Sequence, residues 1–282
     1  MADFAGPAYP LPLGGDLYRF FITGRGADNR SRIGSVDILW AAPPRIVGAS
    51  GPHVDVGALG CFDGDGAAYP WVVAHQGRLY LYYAGWIRGG SVAMHHGIGL
   101  AIADSPDGPF KKYSRAPLLP RSDAEPIGSA SCCVVRESDG GWRMAYTSFV
   151  RWEETPQGPK HYYNIRITRS ADGIRWDPAS SLAIDFAGPH EYAIGKPCLV
   201  EEKGRQALYF VARGARYQIW RAVHDGARYV RDDAPLPLPA SDWDSEMQAY
   251  PVVFSHRGQR ILLYNGNGYG RTGLGYAVEA DA

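Results

Sequence analysis

The chain has 282 residues, 29 basic and 29 acidic side chains and a formal net charge of zero, and it is 45% hydrophobic and 12% aromatic. A chain of this length and aromatic content can bury a large core, which argues against disorder. The neutral balance argues against a nucleic-acid partner, and the apolar runs are far shorter than the about 20 residues that cross a bilayer, so we predict no membrane partner either.

The start of the chain carries no basic segment followed by an apolar one, so no secretory leader is predicted and we expect a cytoplasmic protein. The four cysteines, Cys61, Cys132, Cys133 and Cys198, form no C-x-x-C pair. This spacing favours buried free thiols over a disulfide framework or a zinc ribbon.

An internal repeat organises the chain. The tripeptide Ala-Tyr-Pro stands at 8–10, 68–70 and 249–251, and each copy is followed by an apolar strand, a glycine turn and a second strand. Two diverged copies begin at Ser131 and Pro197. The five repeats are therefore expected to begin near residues 10, 70, 131, 197 and 251.

Each predicted hairpin continues into a third short apolar strand, at 33–37, 98–102, 165–168, 219–223 and 272–276. Asp-Gly turns then lead three of the repeats into a fourth strand that carries Phe110, Trp176 or Tyr229. Four-stranded meanders repeated around an axis form a β-propeller. We predict an all-β fold with one domain over residues 1–282, a five-bladed β-propeller whose last blade lacks its outer strand or takes it from elsewhere.

Polar residues concentrate on one predicted face, because the start of each inner strand lies beside the loop between the second and third strands. The acidic residues on this face are Asp63, Asp65, Asp123, Glu125, Glu191, Asp244 and Glu246. The loops carry Arg25, Asn29, Arg30, Trp86, His95, His96, Trp152, His161, Arg213, Arg216, Asn265, Asn267, Tyr269 and Arg271. Such a cleft suits a sugar, whose hydroxyls need hydrogen-bond partners and whose ring faces need aromatic platforms.

Several motifs carry a family resemblance. They include Pro70-Trp-Val-Val, Leu79-Tyr-Leu-Tyr-Tyr-Ala-Gly, the run from Ile98 to Phe110, Ser170-Ala-Asp-Gly-Ile-Arg-Trp and His190-Glu-Tyr-Ala-Ile-Gly-Lys-Pro-Cys. Through them the chain resembles, over essentially its whole length, the five-bladed glycosidases: arabinanases, invertases, levansucrases and mannoside phosphorylases. Through residues 243–251 and 264–273 it is similar to a branch associated with surface-polysaccharide or nucleotide-sugar genes.

The resemblance implies catalytic carboxyls: an Asp that opens an early blade, an auxiliary Asp in the next and a Glu acid in the one after. In glycoside cleavage one carboxyl protonates the leaving oxygen and the other attacks the sugar or activates water. Asp63 fits the first position, with Asp65 as a competitor and a turn residue as the alternative. Glu191 fits the position of the Glu that acts as the general acid.

The auxiliary position departs from the family pattern, since the chain reads Gly128-Ser-Ala-Ser-Cys-Cys there. Glu246 is a candidate replacement from the fifth blade, with Asp244 or Ser245 beside it. The alternative is that Glu246 accepts backbone N–H groups of a loop.

The remaining candidates are binding residues, and Asp65 and Asp244 are also candidates for this role. Arg25 and Lys196 suit a phosphate or carboxylate, or an ion pair with a neighbouring acid. Trp86 and Trp152 suit stacking on a sugar ring, or packing at the edge of the site. Four more residues are expected to contact sugar: Arg213, Asn265, Asn267 and Tyr269. Arg213 offers a guanidinium, and the other three belong to a glycine-rich loop.

Three functions follow as hypotheses. The first is a glycoside-hydrolase-like enzyme in which Glu191 is the acid, Asp63 the base or nucleophile, and Glu246 a further carboxyl. The second is a sugar-binding propeller without catalysis. The third is an enzyme that acts on a phosphorylated or nucleotide-linked sugar. The expected partner is a small carbohydrate or sugar nucleotide, and no cofactor and no metal site are predicted, since adjacent His95 and His96 point in different directions in extended backbone.

Overall fold

The computed structural model describes residues 4–279, which fold almost entirely into β-strands, as predicted. In chain order the elements are β1 (Ala5–Gly14), β2 (Leu17–Arg25), β3 (Ser31–Leu39), β4 (Arg45–Val54), β5 (Gly66–His75), β6 (Arg78–Arg88), β7 (Met94–Ala103), β8 (Lys111–Lys112), β9 (Gly128–Arg136), β10 (Trp142–Glu153), β11 (Lys160–Ser170), β12 (Ser181–Ile184), β13 (Ala193–Glu202), β14 (Arg205–Arg213), β15 (Tyr217–His224), β16 (Tyr229–Arg231), β17 (Ala249–His256), β18 (Gln259–Asn265), α1 (Asn267–Gly270) and β19 (Leu274–Val278).

The strands pair in sequence as five antiparallel meanders. Four of them have four strands each, β1–β4, β5–β8, β9–β12 and β13–β16. The last one, β17–β19, has three strands within residues 4–279. The fourth strand of the first meander, β4, has no counterpart in the predicted pattern.

The inner strands begin two to five residues before the predicted starts, because each meander has an irregularity in the pairing of its first two strands. In the second meander the register shifts between Ala68 and Trp71, and pairing continues on the far side of the shift to Gly66. Two predicted outer strands also lie elsewhere. Phe110 lies directly before β8 and not in it. Trp176 forms only an isolated bridge with Ser170, and β12 begins five residues later.

Successive meanders meet at one end of their strands. Short parallel contacts join Ser31 to Gly66 and Tyr163 to Ala193. The last meander contacts the first through side chains: Arg257 forms an ion pair with Asp16 at 2.7 Å, and the Tyr18 hydroxyl lies 3.1 Å from Nδ1 of His256. The hydrogen-bonded strands form three separate sheets rather than one closed sheet.

The core lies between neighbouring meanders. The indole N–H of Trp71 on β5 donates to the carbonyl of Val134 on β9 at 2.8 Å, so even this buried polar atom is satisfied across the interface. Cys132, Cys133 and Cys198 are buried free thiols, as predicted, whereas free Cys61 is partly exposed. Within residues 4–279 no helix has the length and apolarity that a membrane crossing requires.

Candidate functional site

A cavity of about 1170 Å³ lies where the starts of the five inner strands converge, and we call it the central cavity. Every meander contributes to its lining, for example through Thr23, Tyr69, Ser131, Lys196 and Tyr250. Its volume lies just above the usual range of about 300–1,000 Å³ for small-molecule sites, so it can accept a ligand larger than a monosaccharide.

Three inner strands share an unusual backbone conformation at the cavity. Tyr69, Lys196 and Tyr250 each precede a proline and have φ of 55°, 48° and 63°. Bulky side chains rarely adopt positive φ, and such strain persists where the surrounding structure fixes it. Two of these positions are fixed in the same way: the N–H of Tyr69 donates to Oγ1 of Thr23 at 2.9 Å, and the N–H of Lys196 donates to Oγ1 of Thr147 at 3.1 Å.

Lys196 belongs to the floor of the cavity. The residue is only 2% exposed, and its Nζ has no hydrogen-bond partner. The nearest favourable group is the ring of Trp71, whose centroid lies 5.2 Å from Nζ. Burial lowers the pKa of Lys196 because the site solvates the ammonium form poorly.

Three arginines, Arg25, Arg88 and Arg271, also line the cavity, and we call them the arginine group. Arg25 donates to the side-chain oxygen of Asn29 at 3.1 Å, and its guanidinium lies 5.7 Å from the ring centroid of Trp86. Among residues 4–279, no carboxylate lies within 4 Å of a cationic nitrogen of Arg25 or Arg271. These guanidinium groups are therefore available to an anion.

One side of the cavity is formed by His96, Phe149, His161 and Tyr163, which we call the aromatic wall. His96 stacks on Phe149 at 5.2 Å and His161 stacks on Tyr163 at 5.2 Å. Burial lowers the pKa of His96 to about 4 and also lowers the pKa of His161, so both rings are neutral at pH 7. The wall is thus an uncharged stacking surface, the kind that a sugar ring contacts.

Tyrosine hydroxyls also line the cavity. The hydroxyls of Tyr163 and Tyr217 lie 3.1 Å apart, and a guanidinium N–H of Arg213 donates to the hydroxyl of Tyr269 at 3.3 Å. Hydroxyls both donate and accept, so they can match the hydroxyls of a carbohydrate.

No Asp or Glu among residues 4–279 lines the central cavity. Asp63 is buried outside the lining, where its Oδ2 accepts hydrogen bonds from the Tyr83 hydroxyl at 2.9 Å and from Lys112 Nζ at 2.6 Å. Neighbouring Asp65 accepts the backbone N–H of Arg88 at 2.8 Å.

The other predicted carboxyls also have protein partners or lie at the surface. Glu191 forms a two-point ion pair with Arg231 at 2.7 and 2.9 Å. Asp244 is buried and accepts from Gln248 and from the Tyr264 hydroxyl at 2.9 and 3.1 Å. Glu246 is exposed.

Four of the predicted catalytic and binding residues lie on the lining: Arg25, Trp86, Lys196 and Tyr269. Four other residues of the predicted loops also line it: Asn29, His96, His161 and Arg271. The remaining predicted binding residues lie behind or beside it. Trp152 is outside the lining and stacks on the wall residue Phe149, with 6.3 Å between the ring centroids. Asn265 is buried and donates to the carbonyl of Ala5 at 2.7 Å.

Asn267 and Arg213 complete the predicted set outside the lining. Oδ1 of Asn267 accepts the backbone N–H groups of Glu246 and Met247, both at 2.9 Å, which fixes the loop before β17. Asn267 opens α1, where a continuous loop was expected, and this turn holds Tyr269 at a φ of 61°.

Sequence reasoning missed most of the aromatic lining. Tyr69 and Tyr250 carried a usable signal, because each precedes a proline at an inner-strand start, like Lys196. Tyr163 and Tyr217 carried no comparable signal. Within residues 4–279 no group of three or more His, Cys, Asp or Glu side chains is arranged to hold a metal ion.

Two relatives cover nearly the whole chain. They are the uncharacterized proteins MT1551 and Rv1502 of Mycobacterium tuberculosis, from strains CDC 1551 and H37Rv respectively. Each is 36% identical over 277 residues, which covers 96% of this chain and 91% of the relative. No family model matches the chain.

Solved structures of glycoside hydrolases share the fold. The endo-arabinase of Bacteroides thetaiotaomicron has a TM-score of 0.70 at 15% identity, covering 99% of this chain and 95% of that one. The GH43_1 enzyme of Xanthomonas citri, in complex with xylotriose, has a TM-score of 0.71 at 15% identity, covering 100% and 89%. The GH32 beta-fructofuranosidase of Bombyx mori has a TM-score of 0.66 at 14% identity, covering 94% of this chain and 56% of that one.

The predicted resemblance to the propeller glycosidases is therefore confirmed at the level of the fold. The chain belongs to the same family as the mycobacterial proteins MT1551 and Rv1502, and it has the fold of the family-43 and family-32 glycoside hydrolases.

Proposed function

We propose that this protein binds a carbohydrate that carries a phosphate or carboxylate group, and that the central cavity is the binding site. One observation supports this most strongly: Arg25 and Arg271 line the cavity beside Lys196, and no carboxylate among residues 4–279 lines it or lies within 4 Å of their cationic nitrogens, whereas Arg88 pairs with Asp65 at 3.8 Å. A neutral sugar needs no such excess of cations, whereas an anion is held by charge-assisted hydrogen bonds from a planar guanidinium.

The rest of the lining suits the sugar itself. The aromatic wall offers uncharged ring faces, and the hydroxyls of Tyr163 and Tyr217 lie within hydrogen-bond distance of each other beside the same space. A volume of about 1170 Å³ leaves room for a nucleotide-linked sugar as well as for a sugar phosphate.

We also propose that the five meanders form a single five-bladed propeller around the cavity. Support comes from the contacts between the last meander and the first, in which Asn265 donates to the carbonyl of Ala5 and Arg257 pairs with Asp16. Closure by side chains is compatible with a last blade that lacks an outer strand.

The binding proposal is tested by calorimetric titration with glucose, glucose 1-phosphate, glucuronate and UDP-glucose. We expect at least one anionic compound to bind and glucose to bind at least tenfold more weakly. Arg25→Met removes charge-assisted hydrogen bonds and should weaken anion binding about tenfold or more. Arg45, an exposed residue of β4, provides the matched control as Arg45→Met. Equal affinity for glucose and the anions, or no effect of Arg25→Met, would contradict the proposal.

Carboxylate-dependent glycoside cleavage is the second candidate, and the fold favours it. It requires two carboxyls flanking the scissile bond, about 5 to 9.5 Å apart. Asp63 and Glu191 would have to leave Lys112 and Arg231 respectively to act in this way. Proton NMR of the protein with a small glycoside such as xylotriose, with glucose 1-phosphate and with UDP-glucose detects cleavage at the anomeric carbon. If the wild type cleaves one of them and Glu191→Gln, still folded, abolishes cleavage, catalysis by Glu191 is supported; full activity of the variant would exclude it.

A further inference from the structure

Lys196 is an amine without a counter-charge. Its Nζ is buried, makes no hydrogen bond and has no carboxylate within 4 Å among residues 4–279. An unpaired ammonium in such a site costs several kcal/mol, of which the ring of Trp71 at 5.2 Å recovers only a part. Burial without a counter-charge therefore disfavours the ammonium form and lowers the pKa of Lys196.

The titratable groups around Lys196 do not supply the missing charge. The nearest are the thiols of Cys132 and Cys133 on β9 and of Cys198 on its own strand, β13. Burial raises the pKa of Cys132 to about 12 and that of Cys198 to about 11, and it also raises the pKa of Cys133, so the thiols are neutral. Burial raises the pKa of Tyr9 on β1, which packs on Trp71, and of Tyr250 on β17.

The position of Lys196 links the buried amine to the ligand space. The residue contributes to the cavity lining, and its backbone is held there at positive φ by the hydrogen bond to Thr147. Its side chain is a flexible four-carbon stem, so a change of rotamer is all that is needed for the amine to reach a ligand in the cavity.

We propose that Lys196 is the group that takes up a proton when the anionic ligand binds: the amine is neutral beneath the cavity floor in the ligand-free protein and becomes an ammonium paired with the ligand's phosphate or carboxylate. This inference rests on the proposed function. The proton comes from solvent, and no covalent bond is formed or broken. Because a lowered lysine pKa rises again beside an anion, anion affinity should fall as the pH rises from 7 to 9.

Calorimetry at pH 8.5 measures this coupling directly. An ordinary lysine, with a pKa of about 10.4, is already almost fully protonated there, so uptake reports a group with a lowered pKa. Titrations with glucose 1-phosphate and with glucuronate, each in two buffers of different ionisation enthalpy, give the number of protons bound. The wild type should take up a measurable fraction of one proton per site with whichever compound binds. Binding of glucose 1-phosphate indicates phosphate recognition, and binding of glucuronate indicates carboxylate recognition.

Three variants assign the proton. Lys196→Met should weaken anion binding at least tenfold and abolish uptake. Lys196→Arg, which stays charged, should bind without uptake and with an affinity that does not change between pH 7 and 9. Lys203→Met, in the exposed turn after β13, should behave as the wild type. Unchanged uptake in Lys196→Met would overturn the inference while leaving the proposed function intact.

A ligand-free measurement separates the two proposals. The chain has only five lysines, so carbon-13 labelling at lysine Cε gives five signals, of which Lys196→Met removes one. That signal should titrate clearly below the other four. If the Lys196 signal titrates at the same pH as the other four lysine signals, the inference is overturned, whichever compound binds. A low titration midpoint in a protein that binds none of the anionic compounds would refute both the proposed function and the coupling of proton uptake to ligand binding.

Discussion

Asp63→Ala provides a direct test of the role of the buried carboxylate outside the cavity. The substitution leaves the hydroxyl of Tyr83, which is fully buried, without its acceptor, and this costs about 1–3 kcal/mol. Loss of the ion pair with Lys112 adds at most about 1 kcal/mol, because the Lys112 side chain is 27% exposed and can reach water. We expect the free energy of unfolding to fall by about 3 kcal/mol in total.

Urea denaturation followed by tryptophan fluorescence measures this loss. Tyr83→Phe removes the donor while Asp63 keeps Lys112, and it should cost about 1–2 kcal/mol. The double variant should be less destabilised than the sum of the two, since both single changes break the same hydrogen bond. A loss below about 0.5 kcal/mol for Asp63→Ala, or strict additivity in the double variant, would refute the structural role. Loss of a turnover step at unchanged stability would instead favour catalysis.

Three further changes test other parts of the structure. Burial lowers the pKa of His96 to about 4, so below pH 6.5 the folded state binds fewer protons than the unfolded state. The free energy of unfolding should therefore fall by on the order of 2 kcal/mol between pH 6.5 and 4. His96→Phe should flatten this pH dependence, as measured by urea denaturation midpoints. Gly195→Ala places a Cβ 2.7 Å from Oγ1 of Thr147 and should lower the melting temperature, whereas Gly188→Ala, with open space around it, should not. Trp142→Ala empties a fully buried site and should cost about 3–5 kcal/mol by the same denaturation assay, and a cost below 1 kcal/mol would contradict its place in the core.

The repeat was predictable because its signals are local. Ala-Tyr-Pro followed by alternating apolar residues and a glycine turn specifies a hairpin wherever it occurs, and the structure has β5–β6 and β17–β18 at two of these copies. The inner strands begin earlier than predicted because the pattern of apolar residues does not indicate a bulge. Pairing beyond the bulge depends on the neighbouring strand, which the local sequence does not contain.

The placement of the carboxylates was not predictable for a related reason. Asp63 and Glu191 lie near inner-strand starts in the sequence, which brings them close to the cavity without deciding which way they face. Their partners, Lys112 and Arg231, are 49 and 40 residues further along the chain. Arg25 and Lys196 reached the lining because they stand at a strand end and at a bulge, positions that the repeat itself defines.

The strained backbone at Tyr69, Lys196 and Tyr250 sets a trade-off between stability and the cavity surface. Each positive φ costs of order 1–3 kcal/mol, and glycine would adopt the same conformation without that steric cost. Glycine would also remove the tyrosine or lysine side chain that the position contributes at the cavity. Stabilising the chain by glycine substitution at these three sites would therefore remove part of the cavity surface. Substitutions that raise stability and keep this surface belong at other positions in the meanders.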